Sequence, residues 1–329
     1  MGMNKCTLAI FCLFLLFAER SFAETILVIQ SYHIGYPWDK SYIEGLESEL
    51  GGKHKIERFE MNTKRIPKSQ YQDKANEAWN YYNQVKPDLV ILGDDNAMSY
   101  LGKKINDAGT PVVFLGVNGN PRELGIDKME HVTGVLERPL FKRSISEIRR
   151  IMGGELGKAL ILFDSGNTSS TAVAEAFNGK MSSKAAGVTV DIKQVGTEQE
   201  WKDVILHSKD NGYNAVIIGL YQTLVDDEQK SVDAEEILAW TSANTPIPSF
   251  AFWDFSVGAN KAIGGLVLFG KTQGEEAGKI ALRILAGDKP NMINPMVGEK
   301  GRYLFSKSEV TRWKIQLPGD LLEKAEWVD

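Results

Sequence analysis

The stretch Ile26-Leu27-Val28-Ile29-Gln30-Ser31-Tyr32-His33-Ile34-Gly35-Tyr36-Pro37-Trp38-Asp39 decides how the chain is read. Its first four residues are aliphatic without a break, and three are β-branched. A run that short with no polar face reads as a strand covered on both sides. The chain then turns polar and aromatic, and Tyr42, Ile43, Leu46 and Leu50 follow at helical spacing. The same unit recurs. Further aliphatic runs stand at residues 89–92, 112–115, 160–163, 215–218 and 266–269. Weaker, alternating segments at 54–59 and 188–195 suit edge strands.

Between the runs lie helical stripes: Ala75, Ala78, Trp79 and Tyr82; Phe141, Ile145, Ile148 and Met152; Trp201, Val204 and Ile205; Ala277, Ile280, Ala281, Ile284 and Leu285. Alternating strands and helices give right-handed βαβ crossovers and parallel sheets. One block runs over 25–136 and a second over 156–253, with Gly153, Gly154 and Gly157 at the entry to the second. Further elements follow, and Ser306 with Glu309 forms a capping-box pattern before a last short helix. The expectation is an α/β fold of two doubly wound parallel-sheet lobes joined by a multi-crossing hinge. Lobe one is expected over 24–136 plus 255–290, lobe two over 137–254 plus 291–329.

A chain of 329 residues suits two domains, and 43% hydrophobic with 25% charged residues is ordinary globular composition. The net charge of -5, with Lys and Arg spread evenly, excludes the basic footprint of a nucleic-acid binder. Lys5, the apolar stretch 8–17 and Ser21-Phe22-Ala23 form a secretory leader over 1–23, cleaved after Ala23. That apolar stretch is too short to span a bilayer, which takes about 20 residues. Both cysteines, Cys6 and Cys12, fall within the leader, so no disulfide, thiolate metal site or cysteine nucleophile is expected beyond it. The chain lacks Gly-x-Ser-x-Gly, His-Glu-x-x-His and Gly-x-Gly-x-x-Gly motifs. Residues 153–158 resemble a phosphate loop, but the glycine spacing is short and Ala159 replaces the required hydroxyl. The four histidines, His33, His54, His131 and His207, have no ligand spacing. No catalytic residue, metal or cofactor is therefore expected.

Hydrogen-bonding and aromatic residues gather just after the strands, where open α/β sheets bind their ligands. Ser31, Tyr32, Trp38, Asp94, Asp95 and Asn118 are expected on one wall of a cleft. Ser165, Asn167, Thr168, Tyr221, Trp253 and Asp254 are expected on the other. Residues 165–170 suit an anion such as a carboxylate at a helix N-terminus. Asp94, Asp95 and Asp254 suit an ammonium or hydroxyls, and Tyr32, Trp38, Tyr221 and Trp253 an apolar or ring-shaped body. Each loop also has a plainer reading as a helix cap.

The opening stretch resembles the start of ABC-transporter substrate-binding proteins with the type I periplasmic-binding-protein fold. The resemblance continues through residues 87–97, 111–118 and 132–135, and through Gly274-Glu275-Glu276-Ala277-Gly278-Lys279 with Ile284-Leu285-Ala286-Gly287. It implies three hinge crossings, one sheet per lobe, a small-molecule ligand in the cleft, and a monomer in the periplasm that delivers to a membrane permease. Similar domains also form the sensory part of histidine kinases and diguanylate cyclases, so the alternative partner is a membrane sensor. Some relatives bind amino acids, notably aromatic ones, which matches a carboxylate at 165–170 and an ammonium at an aspartate. The Asp94-Asp95 pair departs from the Thr-rich loop of the amino-acid transport branch and looks more like the sensory one.

Overall fold

The computed structural model describes residues 24–298 and 300–329; the expected leader and its cleavage site after Ala23 lie outside the described residues. The first lobe is built from β1 (Thr25–Gln30), α1 (Pro37–Leu50), β2 (Lys55–Glu60), α2 (Tyr71–Val85), β3 (Leu89–Gly93), α3 (Asp94–Asp107), β4 (Val112–Val117) and β5 (Val132–Leu136). Every strand pair here is parallel. β1, β3 and β4 are buried along both faces, which is why their sequences show no alternation. β2 alternates and lies at the edge of the sheet.

The second lobe contains α4 (Phe141–Ile151), β6 (Lys158–Asp164), α5 (Asn167–Phe177), β7 (Ser182–Ala185), β8 (Val188–Val195), α6 (Glu198–Leu206), β9 (Ala215–Ile218), α7 (Ala234–Asn244) and β10 (Ser249–Ala251). Its sheet runs β10-β9-β6-β8-β7, parallel except for the β7–β8 hairpin. β8, expected at an edge, is second from it. The two-residue turn Ala186-Gly187 has φ of 51° and 78°. Two positive values mark the hairpin turn whose twist matches the flanking strands, so β7 folds back and covers the edge.

The rest of the chain is β11 (Gly264–Val267), α8 (Gly270–Leu285), β12 (Met296–Val297), β13 (Arg302–Ser306), α9 (Lys307–Arg312), α10 (Gly319–Leu322) and β14 (Glu326–Val328). α8 returns to the first lobe and packs along α1. Two glycines permit that approach: a Cβ on Gly274 would lie 2.0 Å from the Tyr42 carbonyl oxygen, and one on Gly45 2.1 Å from that of Lys271. β12 pairs with β5, so the first sheet runs β12-β5-β4-β3-β1-β2. β11, β13 and β14 form a third, small sheet beside β10 and α4.

The lobe limits expected from sequence therefore move. Residues 255–267 stay with the second lobe instead of opening the return segment, and 296–297 belong to the first lobe rather than the second. The reason is that the last strands pair across long sequence gaps, which a run-by-run reading does not register. The chain passes between lobes after β5, between β11 and α8, and between β12 and β13. The last two crossings lie side by side, since Val267 pairs with Arg302. Ser306 accepts the Glu309 N–H at 3.2 Å and caps α9, but the expected box is half made, because the Glu309 carboxylate accepts from the Asn260 N–H and from Arg312 instead. Among the described residues no helix is long and apolar enough to cross a membrane.

Candidate ligand-binding cleft

The carboxyl ends of β1, β3 and β4 face those of β6, β9 and β10. Local hydrogen bonds set the first wall. Ser31 donates its hydroxyl to the Gly93 carbonyl and accepts the Ala97 N–H at 2.8 Å, drawing the start of α3 against β1. Asp94 adopts φ of 68°, a left-handed conformation that aspartate tolerates better than most residues but that still stores strain. Gly116 leaves room beside it, since a Cβ there would lie 3.3 Å from the Asp94 carboxyl group.

Tyr32, Tyr36, Trp38, Lys64, Asp94 and Glu137, together with Thr168, Leu220 and Trp253, surround a tight inner space with room for about one water molecule. Both lobes close over it. The Tyr32 hydroxyl meets that of Thr168 at 2.6 Å, and Asn167 donates to Asn96 at 3.1 Å. Glu137, in the first crossing, accepts from Trp253 Nε1 at 2.6 Å and from Asn118 Nδ2 at 3.2 Å. Tyr32 and Tyr36 stand at 81° with ring centroids 5.2 Å apart. The Lys64 ammonium sits 4.4 Å from the first ring centroid and 4.9 Å from the second. Two buried polar atoms on these walls have no hydrogen-bond partner, Trp38 Nε1 and Asp94 Oδ2.

Burial dominates the electrostatics. It pushes the Asp94 carboxyl well above the usual range, helped by the neighbouring Asp39, Glu137 and Asp95. It pushes Glu137 up to about 8, against the hydrogen bond from Trp253. It lowers Lys64, although Asp164, Asp94, Asp39 and Glu137 all favour its charge. Removing charges from water raises carboxylic acids and lowers amines in this way. The space can thus offer a proton, a carboxylate, an indole N–H and aromatic faces to one small solute.

The residues expected from sequence divide into two sets. Tyr32, Trp38, Asp94, Thr168 and Trp253 line the inner space, and Ser165 and Asn167 line its outer approaches. The others hold the walls in place. Ser31 braces α3, Asp95 accepts the N–H groups of Asn118 and Gly119, and Asn118 orients Glu137. Tyr221 is buried against Trp201 and Phe255, and Asp254 accepts from its own neighbour, the Phe255 N–H. Neither lines these spaces. The anion expected at 165–170 meets the protein's own carboxylate. Asp164 accepts from the Gly166 N–H, the Ser169 hydroxyl and the Thr223 N–H. Sequence reasoning missed Lys64, Glu137, Tyr36 and Asn96. Tyr36 and Asn96 were in plain view within the post-strand stretches. Lys64 follows the weakly marked edge strand β2 and Glu137 lies in a hinge crossing, so neither carried a signal.

Two parallel-sheet lobes, crossed three times and closing on a polar space at their strand ends, define a two-lobed binding protein of the type I periplasmic kind. The chain belongs to the family described as ABC transporter substrate binding protein, whose model matches residues 40–328. A structure of an ABC domain in complex with L-Trp from Streptococcus pneumonia is similar in fold. It has a TM-score of 0.67 at 17% identity, over 93% of this chain and 100% of that one. A conserved domain protein from Vibrio cholerae gives 0.68 at 13% identity, over 93% and 100%. The ligand-free, open structure of a substrate binding protein with adhesive properties from Clostridium difficile gives 0.62 at 14%, over 93% and 99%. No curated protein sequence matches the chain.

Proposed function

We propose that the protein is a periplasmic solute-binding protein that captures a small polar or amino-acid-like ligand between its lobes and delivers it to an ABC permease. The observation that carries this reading is the pair of buried, unpartnered polar atoms, Trp38 Nε1 and Asp94 Oδ2, on a space lined by both lobes. Buried polar groups are nearly always hydrogen-bonded, and a small solute supplies the missing partners. A ligand touching both walls favours the closed form only through contacts that the open form lacks. The L-Trp held by the pneumococcal relative supports an amino-acid-like ligand. Export with cleavage after Ala23 and action as a monomer belong to the same reading.

The Asp94-Asp95 pair favours a second reading, a sensory component that reports the same ligand to a membrane histidine kinase or diguanylate cyclase. The deciding experiment begins with mass spectrometry of the solute released from natively purified protein. Adding that solute back should bind at one per chain and contract the particle in small-angle scattering. No released solute, and no contraction with any candidate, would defeat both readings. Loss of cellular uptake of that solute on deleting the gene supports delivery; intact uptake with a lost transcriptional or cyclic-dinucleotide response supports sensing.

A further inference from the structure

We propose that the inner space is a cation site, that its ligand is a small organic ammonium with a hydrogen-bond acceptor beside the charge, and that this ammonium displaces Lys64. The inference rests on the solute-binding reading and adds the chemical class of the solute and the group it competes with. Lys64 is only 6% exposed, and its ammonium lies against the rings of Tyr32 and Tyr36. Among the described residues Nζ makes no ion pair and no hydrogen bond. It is a desolvated charge held by ring faces and by carboxylates at longer range, Asp94 and Glu137 on the same walls. Ring faces attract cations, and quaternary and primary ammonium groups are recognised in this way. Such a charge is weakly held, because its lost hydration is not replaced by direct bonds.

Two partners remain open on the same walls. Asp94 Oδ2 is an acceptor and Trp38 Nε1 a donor, both on residues that line the space. A ligand ammonium bonded to Asp94, with a neighbouring oxygen on the indole N–H, makes both bonds that Lys64 leaves unmade. An anion in the same place would face Asp94 and Glu137. The position of Lys64 also makes it a gate. It lines the inner space, the adjoining one, and both larger openings that flank residues 63–68. Withdrawing that one side chain joins the inner space to the surface.

The test uses the full chain and a matched series: amines with a neighbouring hydroxyl, from ethanolamine to phenylalaninol, their deaminated alcohols, and the corresponding carboxylates. Calorimetry should find binding among the amines, at least about tenfold weaker binding of each deaminated alcohol, and none of the carboxylates. Lys64→Ala should tighten the amines by about tenfold, because the internal competitor is gone. Lys64→Gln serves the same purpose if the alanine variant melts below the parent. Asp94→Asn should weaken amine binding by about a hundredfold. Three results would overturn the proposal: no amine binding, alcohols that equal their amines, or amine affinity unchanged or weakened by both Lys64 variants. Carboxylates that bind the parent and are lost on Lys64 substitution would overturn it too, by making Lys64 an anion ligand. In each case the solute released from native protein still decides the broader reading, which falls only if no solute of any charge binds.

Discussion

Asp94 and Asp164 stand at strand ends on opposite lobes, one after β3 and the other at the end of β6. Each stands at the carboxyl end of a central strand, each leads into a helix, and each is buried, at 2% and 1% exposure. Their surroundings differ. Asp164 is enclosed by three donors of its own lobe, the Gly166 and Thr223 N–H groups and the Ser169 hydroxyl. Asp94 has Oδ2 without a partner, a left-handed backbone, and acidic neighbours that push its carboxyl upward. The same residue type at the end of a strand thus does two jobs. A carboxylate with its partners supplied by the fold closes a loop; one without them is left for something else to bind.

Substituting the two aspartates separates those jobs. Asp164→Ala leaves three donors without an acceptor and should cost about 4 kcal/mol of stability, read as a large drop in thermal or denaturant midpoint. Asp94→Asn should leave the melting point level or higher, because an unpaired buried carboxyl is replaced by a neutral amide of the same size. It should instead weaken the released solute by about 3 kcal/mol in calorimetry. If Asp94→Asn unfolds the protein and Asp164→Ala spares it, the comparison is reversed and the site belongs to the second lobe.

Glu137 sharpens the same contrast through pH. Burial lifts its carboxyl from 4.5 to about 8, with Trp253, Asn118, Asp95 and Arg138 around it. A carboxyl that holds its proton more tightly when folded stabilises the protein fully below pH 4.5, and that contribution fades as the pH rises towards 8. Stability of the protein without added solute should therefore fall across this window, at most by about 1.4 kcal/mol per pH unit for this group. Urea titrations should show a shallower fall in Glu137→Gln. A profile that rises over the same range, or an unchanged slope in the variant, would mean that Glu137 stays ionised. The smallest effect is expected at Tyr32→Phe, which removes the hydroxyl contact with Thr168 across the cleft. It should weaken the solute by about 1 kcal/mol while leaving the fold intact.

Much of the fold was legible because strand and helix periods are local. The runs at 26–29, 89–92, 112–115, 160–163 and 215–218 form strands where they stand, and the stripes at Tyr42, Ala75, Phe141, Trp201 and Ala277 form helices. The candidate site was legible only in outline. The post-strand rule found Tyr32, Trp38, Asp94, Thr168 and Trp253, but it also gathered Asp95, Asn118 and Tyr221, whose polar or bulky groups brace the walls. Composition alone does not separate a residue that caps a helix from one that faces a solute, since both favour Asp, Asn, Ser and Thr.

By itself, the sequence determined the alternation of strands and helices, the parallel sheets and the strand ends at which the candidate site lies. Those follow from side-chain patterns within a few residues of each other. Only the tertiary structure decided which carboxylate keeps an open oxygen, that Lys64 enters between two tyrosine rings, and that Glu137 is tied to Trp253. These depend on approaches between distant segments: Tyr32 meets Thr168 across 136 residues, and Trp253 meets Glu137 across 116. Partner supply and burial are properties of that meeting, so no pattern within either segment contains them.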